Sequence, residues 1–208
     1  MATIDTIQRL LGKSIGGLMG LSQDDLRALH VSQAGLKYAE LARAGRMFGA
    51  TFGTGTELAP RTAVPTTGAD WILYNPPTSG RDLYVVQAAI HSVSGTMGLG
   101  LGMVGAVATA PTTAPTDYAS SVKSDTFGAG YSGKAIFAAT GTLPSTPAWI
   151  TLQGRAQTAS VDVGSALIAL LDGMFRVPPG CVFALDAIAP TGTAAKFGGS
   201  FVWSERDI

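Results

Sequence analysis

Any chemistry here has to be sought among 27 glycines, two histidines, one cysteine and fourteen carboxylates, the groups whose spacing can be tested against the needs of catalysis and binding. Gly100, Gly102 and Gly105 have the spacing of a dinucleotide-binding loop. That loop works only when a helix comes directly after it and turns its N-terminus toward a pyrophosphate. The next residues are AVATAPTTAPT, where Pro111 and Pro115 prevent the helix, so the segment is expected to be a glycine-lined strand that another backbone approaches closely. Gly128, Gly133 and Lys134 fit a P-loop, but Ala135 stands where a magnesium-binding hydroxyl is needed, and AIFAATG reads as strand. No serine occupies a G-x-S-x-G elbow; Ser132 is succeeded directly by Gly133 and Lys134. His30 falls in a helical stretch and His91 on an expected strand, and both read as structural histidines. Cys181 reads as a small buried apolar residue. Asp82, Asp117 and Asp125 are dispersed without metal-ligand spacing. Paired glycosidase carboxylates can come from different strands, and nothing in the sequence favours them. The expectation is a protein that is not an enzyme, with no catalytic residue, no cofactor and no metal.

Aromatic residues are the remaining candidates. Trp71, Tyr84 and the Phe201/Trp203 pair sit in alternating apolar runs and are expected in a core. Tyr131 and Trp149 lie beside loops, which makes them the surface aromatics available for stacking on a glycan. Composition narrows the partners. Apolar residues make up 46% of the chain and charged ones 13%, about half the usual share of roughly 25%, so charge-driven disorder is excluded. The 14 basic and 14 acidic side chains cancel, removing the electrostatic footprint of a nucleic-acid binder. A membrane span is not expected either. Residues 83–116 carry no charge, but Met97, Leu99, Leu101 and Met103 alternate with Gly98, Gly100 and Gly102, and a period of two is a strand pattern. The interrupted LLGKSIGGLMGL run does not read as a secretory signal.

The elements that must position these residues change character near residue 46. Before it, Leu10, Leu11, Ile15 and Leu18 recur at helical steps behind Thr3 or Asp5, and Ser22 with Asp25 resembles a capping box for a second helix. That second helix would carry Leu26, Leu29, Leu36 and Leu41 up to Gly45, with Gln33-Ala34-Gly35 as a point where it breaks. After residue 46, short runs rich in Val, Ile, Phe, Tyr, Trp and Thr alternate with Gly and Pro clusters, the pattern of an antiparallel sandwich or barrel. Strands are expected at 46–52, 70–74, 83–93, 98–108, 134–140, 148–154, 165–171, 174–177, 182–187 and 195–204. Asp172-Gly173 reads as the turn of a hairpin, Asn75-Pro76-Pro77 and Pro178-Pro179-Gly180 as fixed bends, and residues 110–133 as one long loop. The fold class expected is mainly β: an antiparallel, jelly-roll-like β-sandwich over 47–208 behind a helical N-terminal arm over 1–46.

Three segments carry a resemblance: LYNPPTSGRDLYVVQAAI at 73–90, GMFRVPPGCVFALDA at 173–187 and GSFVWSE at 199–205. Together they resemble small jelly-roll or related β-sandwich proteins of tailed-bacteriophage virions, the head decoration (cement) proteins and the head-fibre and tail components. The resemblance covers residues 66–208 and brings no catalytic residue. It implies a virion location, a homotrimer, and partners among virion proteins such as the major capsid protein. The alternative it leaves open is a tail or head-fibre module that binds a receptor or glycan.

Low charge and an apolar arm point independently to a protein that associates. The leucines of the arm are expected either to hold the protein to a larger assembly or to cap an open end of the sandwich. The Gly98, Gly100, Gly102 face is expected as a place where another subunit's backbone comes close.

Overall fold

The computed structural model describes residues 21–23, 29–31, 38–52, 57–98, 100–113, 115, 124–125, 133–156, 166–189 and 194–208. The chain divides into two compact units, Met1–Ala39 and Glu40–Ile208. In the first, β1 (Leu21–Gln23) pairs antiparallel with β2 (Leu29–Val31), so that Ser22 faces His30. This ladder occupies positions expected to begin the second helix. A short helix is costly to nucleate, and strand pairing satisfies the same backbone groups without running through Gln33-Ala34-Gly35. Among the described residues of the expected arm, the helical part is α1 (Ala39–Arg43), one turn long, which carries Leu41 and is followed by Gly45, whose φ of 65° suits a helix C-terminus. Leu41 therefore belongs to the second unit, while Leu29 is on β2. Leu10, Leu11, Ile15, Leu18, Leu26 and Leu36 lie outside the described residues.

The second unit is a sandwich of two antiparallel five-stranded sheets, built as the alternation of apolar and polar residues requires. Its strands are β3 (Met47–Thr51), β4 (Gly68–Tyr74), β5 (Arg81–Ser94), β6 (Leu101–Thr109), β7 (Ser124–Asp125), β8 (Ile136–Thr142), β9 (Ile150–Arg155), β10 (Ala166–Val177), β11 (Cys181–Ile188) and β12 (Lys196–Asp207). One sheet runs β10-β5-β12-β3-β7 and the other β8-β4-β11-β6-β9. Four pairings are nested: β3 with β12, β4 with β11, β5 with β10, and β6 with β9. The outbound strands β3 to β6 and the returning strands β9 to β12 thus form one long double strand, which closes on itself where β12 meets β5 and β11 meets β6.

The core between the sheets is aromatic. Trp71, Phe137, Phe183, Phe201 and Trp203 are fully buried, with Phe137 edge-on to Phe201 at 5.4 Å and Phe183 edge-on to Phe201 at 5.7 Å. Such pairs add to the burial of ring area. Gly199 is required here, since a Cβ at this position would stand 2.5 Å from the Trp71 ring.

Two expected elements take another form. Asp172-Gly173 does not turn a hairpin: the residues have φ of 52° and 81°, but the chain continues as β10, with Leu170 opposite Gln87 and Phe175 opposite Val85. The left-handed pair makes a bulge, because β5 is long enough to pair with both halves of β10. The strand expected from Gly98 begins at Leu101, since Gly100 has a φ of 80°, outside strand geometry. The 110–133 stretch, expected as loop, contributes the two-residue edge strand β7.

Candidate interaction surface

The bends singled out in the sequence meet at one end of the sandwich. Asn75 is fully buried at the end of β4, and its amide Nδ2 donates to the Arg81 carbonyl at 2.7 Å and the Val177 carbonyl at 2.8 Å. Its backbone N–H donates to the Cys181 carbonyl, and its own carbonyl accepts from Gly180, where φ is 79°. One asparagine therefore joins the Asn75-Pro76-Pro77 bend to the Pro178-Pro179-Gly180 bend.

Beside it lies Glu205, fully buried on β12. Its Oε1 accepts from the backbone N–H groups of Lys134 (2.7 Å) and Ala135 (3.1 Å) and from the Trp203 indole (3.2 Å). Its Oε2 takes Arg81 Nη1 at 2.9 Å. Arg81 also reaches Asp207 at 3.1 Å, and Arg46 bonds the other Asp207 oxygen at 2.5 Å, which holds the Asp207 carboxyl below the usual carboxylate range. A buried carboxylate with both oxygens met by donors ties β12 to the start of β8 across the two sheets. The three segments that carry the phage resemblance converge on this corner, whose work is structural.

The outer face of the β8-β4-β11-β6-β9 sheet is covered by the chain itself. Ile72, Tyr74, Val182 and Ala184 point outward from β4 and β11 yet are buried, packed with Leu143 and Trp149 from the β8–β9 connection and with Ala110 after β6. Trp149, one of the two aromatics available for glycan stacking, is half-buried in this cover, and its indole N–H donates to the Thr66 carbonyl at 3.4 Å. Tyr131 lies outside the described residues. One level along the same face, Arg61 bridges Asp70 and Asp186.

Among the described residues, nothing covers the other sheet at its β10 edge. Leu167, Ala169 and Leu171 turn inward and are buried, while Ile168 and Leu170 turn outward with exposures of 50% and 73%, and Met174 in the bulge reaches 72%. On the neighbouring β5, Ile168 faces Ala89 and Leu170 faces Gln87; beyond them on β12 stand Ser200 and Val202. No charged residue occurs at that level. Charges gather instead at the far end of the face, where Arg176 pairs with Asp82 at 2.7 Å and Arg206 lies over the Tyr84 ring. The edge of the opposite sheet, β9, touches β10 and exposes Ile150 at 49%. Among the described residues, every large apolar side chain exposed within a strand is on β9 or β10, since the remaining two, Val64 and Ile208, lie outside strands.

The glycine face expected as a subunit contact is not assembled as one strand surface. Gly102 lies within β6, where a Cβ would meet Ile188 at 3.8 Å, whereas Gly100 precedes the strand and Gly98 stands before it. The residues that do form an exposed apolar row, Ile168, Leu170 and Met174, were legible only as a hydrophobic run. Their lack of any alternating polar residue was the available signal. His91, on the outward face of β5, packs over Gly198, and partial burial lowers the pKa of its imidazole. Burial likewise raises that of the half-buried Cys181 thiol.

No family model matches the chain, and comparison with curated proteins gave no match.

Proposed function

We propose that this chain is a structural component of a bacteriophage particle, a decoration or cement protein that joins the head shell through its N-terminal arm and associates as a homotrimer. The observation that carries the reading is the β9/β10 side, which the described residues leave uncovered. An edge strand is normally blunted by charge, proline or a covering segment. Residues 166–171 of β10 carry no charge or proline and are not covered by any of the described residues, and Asp172 is the one charge in the bulge; Ile168 and Leu170 project into solvent from these residues and Met174 from the bulge. Burying each would contribute on the order of 1.5 to 3 kcal/mol before the cost of association. One such side per chain suits copies gathered around a single axis, which is how a trimer presents them.

The nested pairing of β3–β6 with β9–β12 supports reading the sandwich as a jelly roll, an architecture used by viral capsid domains. The resemblance in the segments at 73–90, 173–187 and 199–205 supplies the head-decoration assignment, and the first unit, Met1–Ala39, is the part proposed to engage the shell. Particles of the encoding phage with this gene deleted provide the test. The full chain is expected to bind them and residues 40–208 alone to remain in solution. Mass spectrometry that finds no copy of the chain in wild-type particles, or full chain that fails to bind the deleted ones, overturns the proposal.

A further inference from the structure

Asp70 on β4 and Asp186 on β11 are cross-strand neighbours, one step beyond the Trp71–Leu185 pair. Both are buried, Asp186 completely, and the Asp70 backbone N–H donates to Asp186 Oδ1 at 3.2 Å. Above them the segment before β4 is laid against β11: the Arg61 N–H donates to the Ala187 carbonyl, and the Ala189 N–H donates to the Arg61 carbonyl. This delivers the guanidinium, whose Nε reaches Asp186 Oδ1 at 2.5 Å and whose Nη2 reaches Asp70 Oδ1 at 2.7 Å. The remaining oxygens, Oδ2 of Asp70 and Oδ2 of Asp186, are buried without a hydrogen-bond partner.

The charge does not balance. Two ionised carboxylates against one guanidinium, itself a third exposed, leave a net negative charge on buried oxygens, two of which have no donor. Neutralisation by a proton costs less than burial of the second charge. The flanking strands supply no other cation: β6 places Val104 beside Asp186, and β8 places Thr140 beside Asp70. Gly68 makes room for the guanidinium, since a Cβ there would stand 2.8 Å from Arg61 Nη2.

We infer that Asp70 and Asp186 form a proton-binding site, in which one proton is held by the pair and Arg61 balances the charge that remains. The proton comes from solvent as the two strands close over the pair, and it returns to solvent on unfolding or at alkaline pH. Desolvation first, and then the Asp70 charge, push the Asp186 carboxyl up to about 8; desolvation also raises Asp70. Such values belong to the pair as a unit. The raised pKa sets the sign of the pH dependence. The folded state holds a proton that the unfolded chain releases above about pH 4, so the stabilisation is complete at acid pH, declines through neutrality and is gone above about pH 8.

Carboxyl carbon NMR on the full chain, with urea unfolding measured from pH 5 to 7, tests the site. One aspartate carboxyl is expected to titrate near pH 8. The unfolding constant of the native protein should rise about tenfold per pH unit relative to Asp186→Asn, which removes the shared proton. In Asp70→Asn, Asp186 is left in a simple ion pair with Arg61, and the pH slope should fall in the same way. Arg61→Met, which strips the compensating charge, should increase proton uptake. Two aspartate carboxyls both ionised at pH 6, or a pH slope unchanged in Asp70→Asn and Asp186→Asn, would overturn the inference. The NMR titration decides even where a variant does not fold.

Discussion

The two sheets of the sandwich treat their outer faces differently. On the β8-β4-β11-β6-β9 sheet, outward Ile72, Tyr74 and Val182 are buried because Leu143, Trp149 and Ala110 are laid over them, and the segment with Arg61 covers the carboxylates beside them. On the other sheet, outward Ile168 and Leu170 stand 50% and 73% exposed, with no segment of the described chain above them. The described residues thus cover one apolar face with the chain's own connections and leave a second uncovered, and the proposed function gives that second face its cover. In the proposed trimer, that cover is further copies of the same chain.

Substitutions on the two sides sharpen this contrast, beginning with the corner that both sheets share. Glu205→Ala removes the shared acceptor of two backbone N–H groups and the Trp203 indole and leaves Arg81 with Asp207 alone, and a loss of about 3 kcal/mol is expected by urea denaturation. Ile72→Ala opens a cavity beneath the intramolecular cover and should cost about 2 to 5 kcal/mol by the same measurement. A cost below about 1 kcal/mol would mean that the cover is loose and that the two faces are alike. Gly199→Ala drives a methyl group into the Trp71 ring from the core side and should cost about 1 to 3 kcal/mol, seen as a lowered melting temperature. Leu170→Asp sits on the bare side, so the stability of an isolated chain should change by no more than about 0.5 kcal/mol.

Much of the sandwich was legible because its turns are chemically explicit. Asn75-Pro76-Pro77 and Pro178-Pro179-Gly180 stop strands where the structure stops them, but the phase of β5 was not legible: Tyr84, expected in the core, is half-buried with Arg206 over its ring, while its neighbours Leu83 and Val85 turn inward. Asp172-Gly173 was misleading for a physical reason. A type I′ turn and this bulge both need left-handed backbone at the same two residues, and only the length of β5 selects between them. Asp70 and Asp186 could not be connected from sequence, because strands 116 residues apart bring them together. The bare row was hidden differently. LIALL reads as a strand buried on both faces, and only its place at the edge of a sheet exposes Ile168 and Leu170.

Sedimentation equilibrium on the full chain and on a Leu170→Asp/Met174→Asp variant, at micromolar concentration with folding checked by circular dichroism, tests the central claim most directly. The native chain is expected at the mass of a trimer and the variant at that of a folded single chain. A native chain that sediments as a monomer, or a variant that keeps the trimer mass, would contradict it.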